Sequence, residues 1–154
     1  MADTRESTND DASAGFSEAE REAMKQRAAE LRAQAAGGTG TAKKKKEAKA
    51  CLDAIAALSG TDKDVAELLH RIVQDEAPHL DPKTWYGFPS YARDGKVIVF
   101  YQPASKFDTR YGSVGFNEEA LLDDGAMWAT GFAVVEVTDE VEATLRDLVR
   151  RAAG

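Results

Sequence analysis

The segment SYARDGKVIVFYQ, Ser90 to Gln102, reads as two extended runs joined by Asp94-Gly95. Asp and Gly tolerate positive φ, so the pair signals a two-residue hairpin turn. Val97, Ile98, Val99 and Phe100 are β-branched or aromatic, as a half-buried strand prefers. Pro103 ends the second run. Downstream, RYGSVGF (Arg110–Phe116) predicts a third strand and GFAVVEV (Gly131–Val137) a fourth. Asn117 is expected to cap a brief helix through Leu122. Thr138 is expected to cap a final helix with Val141, Leu145, Leu148 and Val149 facing inward.

Upstream of the hairpin the sequence predicts helices. TDKDVAELLHRIVQDEAP (Thr61–Pro78) has Val65, Leu68, Leu69, Ile72 and Val73 at helical spacing, with Thr61 or Asp62 as cap and Pro78 beyond its end. Asp81 and Pro82 fit the cap and first residue of a short helical turn leading into Trp85. A shorter helix is expected over Glu47–Leu58, directing Leu52, Ile55 and Leu58 inward. SEAEREAMKQRAAELRAQAA opens with Ser17 and Glu20 in capping-box spacing. Its apolar face is mostly alanine with Met24 and Leu31, so residues 16–36 are read as an accessory helix that buries little. Residues 1–15 are polar without periodicity and predict a disordered tail. Gly37 and Gly38 stop the accessory helix, and Lys43–Lys46 repel one another, so 37–46 is expected to be a solvated linker. That leaves 47–154 as an α+β domain in which a small antiparallel sheet of about four strands or more packs against helices.

Of the 12 aromatic residues, 11 fall between Trp85 and Phe132. The sheet and any pocket wall must therefore come from that region. Net charge is −7 over 154 residues, and residues 61–154 carry the whole excess. Tight binding to a phosphate backbone depends on Lys and Arg releasing counterions, so nucleic acid is not an expected partner. No apolar run reaches the length of a membrane span. The polar N-terminus lacks an apolar signal core, and a cytoplasmic location is expected. Cys51 is the sole cysteine, which excludes an intramolecular disulfide.

No P-loop, G-x-G-x-x-G, H-E-x-x-H or G-x-S-x-G motif is present. Glu67 and His70 form one Glu-x-x-His pair, but a di-iron site needs a second copy. His70 reads as a boundary histidine, and His79 as a surface or capping one. No basic pair flanks Cys51 to activate its thiol. The acidic pairs Glu118-Glu119 and Asp123-Asp124, with Asp139, Glu140 and Glu142, partly serve helix starts. Glu119, Asp123 and Asp124 are the metal-site candidates. The candidate ligand-binding residues are Trp85, Tyr86, Tyr91, Tyr101, Lys106, Arg110 and Trp128, with Tyr111 beside them. Aromatic walls with a few convergent polar groups suit a small-ligand pocket, and Lys106 and Arg110 suit an anion. The competing reading is that these aromatics are core and cross-strand pairs.

TWYGFPSYARDGKVIVFY and KFDTRYGSVGF resemble the YdhG-like family of uncharacterised domains, over about Thr61 to Ala152. The shared motif is Trp-x-x-x-Pro-x-Tyr, here Trp85, Pro89 and Tyr91. Gly95-Lys96 and a strand ending at Phe100-Tyr101 follow it. The resemblance implies a compact α+β domain with an antiparallel sheet flanked by helices, sometimes compared with frataxin. Some members are called intracellular iron chaperones, and most have no assigned activity. Many relatives carry a histidine where this chain has SKFDTRYG, so the implied metal site lacks one ligand here. The leading expectation is a non-enzymatic domain that binds a small molecule or a protein partner. The alternatives are an iron-binding protein using the acidic candidates, and an enzyme on a small anion held by Lys106 and Arg110. No residue is assigned a catalytic role, and no cofactor is predicted beyond that iron alternative.

Overall fold

The computed structural model describes residues 15–36 and 40–154. Apart from Gly15, the expected tail lies outside the described residues, as do the helix-stopping Gly37 and Gly38. The element order is α1 (Glu18–Ala36), α2 (Thr41–Ala56), α3 (Gly60–Glu76), β1 (Asp81–Trp85), β2 (Phe88–Arg93), β3 (Lys96–Gln102), α4 (Ala104–Phe107), β4 (Gly112–Phe116), β5 (Gly131–Val134) and α5 (Asp139–Ala153). The strands form one antiparallel sheet in sequential order, β1-β2-β3-β4-β5. This is the α+β architecture that the alternating strand and helix patterns predict.

The Asp94-Gly95 turn forms as its residues dictate, with φ of 52° and 81° and Arg93 paired to Lys96. A second two-residue hairpin lies one strand earlier. Tyr86 (φ 53°) and Gly87 (φ 77°) join β1 to β2, with Trp85 opposite Phe88. The expected helical turn at Asp81-Pro82 is therefore corrected to a strand. Prolines disguise it: Pro82 sits on the edge strand, and Pro89 sits just before the β2–β3 ladder starts at Ser90–Phe100. Between Tyr91 and Ala92 the register slips by one, leaving Ile98 as an extra residue on β3. Val97, Ile98 and Val99 are accordingly all buried.

The core lies between the sheet and α3 with α5. Val65, Leu68, Leu69 and Ile72 of α3 are fully buried, each contributing about 2 kcal/mol of hydrophobic stabilisation. α5 is capped as expected, Thr138 Oγ1 accepting from Val141 N at 3.1 Å, and it buries Leu145, Leu148 and Val149. The brief helix expected after Asn117 is instead a turn, with Ala120 N bonded to Asn117 O. The fourth residue run is a shorter strand than expected, ending at Val134.

α2 also corrects the sequence reading. It starts at Thr41, so Lys43–Lys46 lie on a helix that packs along β1 and not in a linker. Cys51 and Ile55 are its buried residues, while Leu52 is half exposed. α1 begins as predicted, with Glu20 N donating to Ser17 Oγ at 3.1 Å.

Candidate functional site

β1 is an edge strand, and α2 closes its open side. Between them lies Lys83, with only 6 % of its surface exposed. Its nearest carboxylate is Glu47 Oε1 at 4.0 Å, beyond hydrogen-bond length. A lysine stem this buried places its ammonium at one defined spot, facing the space between α2 and β1. Lys83 lines a cavity of about 390 Å³ together with Lys43, Lys44, Glu47 and Asp81. Lys44 Nζ is 3.3 Å from Asp81 Oδ2 and Lys83 Nζ is 4.0 Å from Glu47 Oε1, while Lys43 has no ion pair among the described residues. Lys83 also borders a second cavity of about 210 Å³, which Arg27, Trp85 and Lys96 share.

The local chemistry favours anions. α2 has no side-chain cap and no acidic residue in its first turn, where its lysines cluster. Positive charge at a helix N-terminus opposes the helix dipole, and neighbouring lysines repel. The helix accepts this cost beside the Lys83 ammonium, in a chain of net charge −7. Breaks of local design rules are expected where a protein binds something. Lys43 and Lys83, with Lys44 shared with Asp81, would complement a carboxylate or a phosphate.

The seven residues singled out in the sequence separate into distinct places. Trp85, Tyr86 and Lys106 meet at the β1–β2 turn, where Lys106 Nζ donates to Gly87 O at 3.4 Å. Phe88, Phe100 and Phe107 complete an aromatic cluster there, with Trp85 and Phe100 centroids 4.9 Å apart. α1 packs against this side of the sheet, and of these rings only Phe88 is buried, the others being half-buried. Tyr91 and Tyr101 are fully buried in the main core. Arg110 and Tyr111 border a cavity of about 170 Å³ near Asp62, with the Arg110 guanidinium 5.2 Å from the Tyr111 ring centre. Trp128 is exposed in the segment between β4 and β5.

Both buried tyrosines bond to α3. Tyr101 donates to Asp62 Oδ1 at 2.7 Å, and the Tyr91 hydroxyl is 2.9 Å from His70 Nδ1. Asp62 was one of two residues, with Thr61, expected to cap α3. It instead accepts from Ala104 N and Ser105 N and so caps α4. Burial pushes the Asp62 carboxyl up, but the bonds from Tyr101, Ser105 and Ala104 together hold it below the usual range. Burial and the Asp62 contact raise the Tyr101 hydroxyl. Burial lowers the His70 imidazole. Burial pushes the Cys51 thiol up to about 11, against contacts from Ser90, Tyr91 and Lys83. None of these buried groups is poised as an activated nucleophile.

Of the acidic metal candidates, Glu119 lies 3.8 Å from Lys96, while Asp123 and Asp124 are exposed. Among the described residues, no three His, Cys, Asp or Glu side chains gather as a metal-binding group. No described helix is long and apolar enough to cross a membrane. Compared with protein-family models, curated proteins and solved structures, the chain matches none.

Sequence reasoning missed Lys83, Lys43 and Lys44 as site residues. Lys83 stood in a motif dominated by aromatics, and the other two were assigned to a linker. The available signal was four consecutive lysines followed by Glu-Ala-Lys-Ala, a run of good helix formers.

Proposed function

We propose that this chain is a YdhG-like, non-enzymatic binding domain for a small organic anion, a carboxylate or phosphate ester. The ligand lies in the cleft between α2 and β1, with Lys83 as its central contact and Lys43 and Lys44 at the rim. The observation that carries this reading is Lys83, a largely buried side chain whose ammonium opens to a cavity and lies 4.0 Å from Glu47. Ligand size is bounded by a cavity of about 390 Å³. The antiparallel sheet flanked by helices agrees with the architecture that the YdhG-like resemblance implies.

Thermal unfolding at fixed ionic strength tests this, with inorganic phosphate and succinate as probes. An anion bound with Kd near 1 mM and present at 10 mM adds roughly 1.4 kcal/mol of stability. For a chain of this size that is a rise of about 3–5 °C in Tm. The rise is expected in the wild type and in Lys106→Ala, and is lost in Lys83→Gln. Equal rises in wild type and Lys83→Gln, or none with either probe, overturn the reading.

A further inference from the structure

The turn between β1 and β2 holds a carboxylate already. Glu30 of α1 places Oε2 3.1 Å from Tyr86 N and Oε1 3.0 Å from Gly87 N. Each carboxylate oxygen thus accepts from one of two successive backbone N–H groups. Successive amides in a turn of this kind form a concave anion site, and bonds to an ionised acceptor are the stronger class. Arg27, also on α1, lies 3.5 Å from Glu30 and 5.7 Å from the Tyr86 ring centre, a second polar anchor of that helix on the turn. The side chain of Glu30 is 13 % exposed, so the carboxylate is largely removed from water.

Little else seats α1. Of its described side chains Ala23 alone is buried, while Met24 and Leu31 are 41 % and 49 % exposed. The turn itself is shaped for close approach. A Cβ on Gly87 would stand 2.9 Å from Lys106 Nζ and 3.3 Å from Gln26 Cγ. Tyr86 holds a positive φ that costs a non-glycine residue about 1–2 kcal/mol. That conformation directs both amides outward to the same acceptor.

We propose that the Tyr86–Gly87 turn is a carboxylate-recognition site, which the chain's own α1 fills in cis. Its ligand class in trans is an acidic helical segment that sets a Glu or Asp side chain over the two amides. α1 is then a removable cover, and its displacement uncovers Trp85, Tyr86 and Phe88 for the incoming helix. This site adjoins the lysine cleft through the cavity that Lys83 and Trp85 share, but uses different groups, so each is tested on its own.

The test uses the full chain carrying Glu30→Gln and a synthetic peptide of residues 18–36. Amide resonances of Tyr86 and Gly87 are followed by NMR. Hydrogen exchange at these two amides is expected to rise at least 10-fold in the variant, with Val99 unchanged. The wild-type peptide is expected to shift both resonances saturably, and at least 10-fold more tightly than the same peptide with Gln at position 30. It is also expected to bind the variant chain more tightly than the wild-type chain, whose turn is occupied. Equal binding of the two peptides, or no binding of either, overturns the proposal. If α1 stays seated in Glu30→Gln, the doubly substituted Arg27→Ala, Glu30→Ala chain removes its remaining polar anchors. The same peptide comparison then decides.

Discussion

Tyr101 and Asp62 lie 39 residues apart in sequence and share the shortest of the described side-chain bonds to α3, 2.7 Å from hydroxyl to carboxylate. The bond fastens the end of β3 to the first turn of α3. The same carboxylate receives the amides that open α4. One acidic side chain therefore fixes three elements, at a point where helix, strand and turn would otherwise each leave a polar group unpaired. Substituting Tyr101→Phe is expected to cost about 2 kcal/mol, the value of a buried bond to a charged acceptor. Asp62→Ala leaves a buried hydroxyl and two amides without their acceptor, and should cost roughly 3 kcal/mol or more. A double-mutant cycle by urea unfolding should return a coupling of at least 1 kcal/mol. Additive effects would refute the link.

Two ionisable groups on α3 give separate acid responses. Asp62 titrates lower in the folded chain than in the unfolded one. Its contribution is therefore present above the unfolded carboxyl value near 4 and is lost as pH falls through the folded value. His70 is also held low, by burial of a group that is positive when protonated. Its contribution is present above the unfolded value near 6.5 and declines as pH falls below it. Stability of His70→Gln should thus fall less than that of the wild type between pH 7.5 and pH 5. Asp62→Asn should flatten the profile below pH 4. Parallel curves for wild type and variants would contradict these assignments.

Gly115 lies opposite Phe100 across β3 and β4. A Cβ there would overlap the Phe100 ring. The ring cannot retreat, because Trp85 and Phe88 pack against it. Gly115→Ala is expected to cost roughly 2–3 kcal/mol by overpacking. Phe100→Leu in the same chain should recover part of that loss, as measured by the urea midpoint.

Lys83 should show the opposite relation of stability to binding. Lys83→Met removes a charge whose nearest carboxylate lies 4.0 Å away and keeps the buried aliphatic stem. The variant should be equal to the wild type in stability or better by about 1 kcal/mol. It should lose the thermal response to phosphate and succinate. A large loss of stability would assign Lys83 a purely structural role.

Cys51 is fully buried and its thiol is pushed up to about 11. It should resist a thiol reagent such as Ellman's reagent at pH 8 in the native chain and react at once in urea. Fast native labelling would show that α2 leaves the sheet readily.

Much of the architecture was legible because its signals are local. Asp94-Gly95 names its own turn, and the spacing from Val65 to Val73 names a buried helix face. β1 was hidden because Pro82 and Pro89 normally argue against a strand; Pro82 is acceptable on the edge strand, and Pro89 because it precedes the β2–β3 ladder. The site was harder to read because its members come from distant segments. Glu30 meets Gly87 and Lys43 shares a cavity with Lys83, and nothing in either local sequence announces its partner. The aromatic run was conspicuous, yet most of its rings are packed against each other or beneath α1. Lys83 looked ordinary because its significance is its burial, a property of the folded chain.

The sheet order also bears on how the chain reaches this structure. Every strand pairs with the one before it, so each pairing closes a short loop or extends one already formed. Assembly can begin at Asp94-Gly95 and spread in both directions without waiting for a distant segment, which favours rapid folding. A long closure is the meeting of α5 with α3, where Arg150 reaches Glu76 across 74 residues. Truncation within α5 should therefore leave a chain that forms its hairpins quickly but fails to lock them into one cooperative unit.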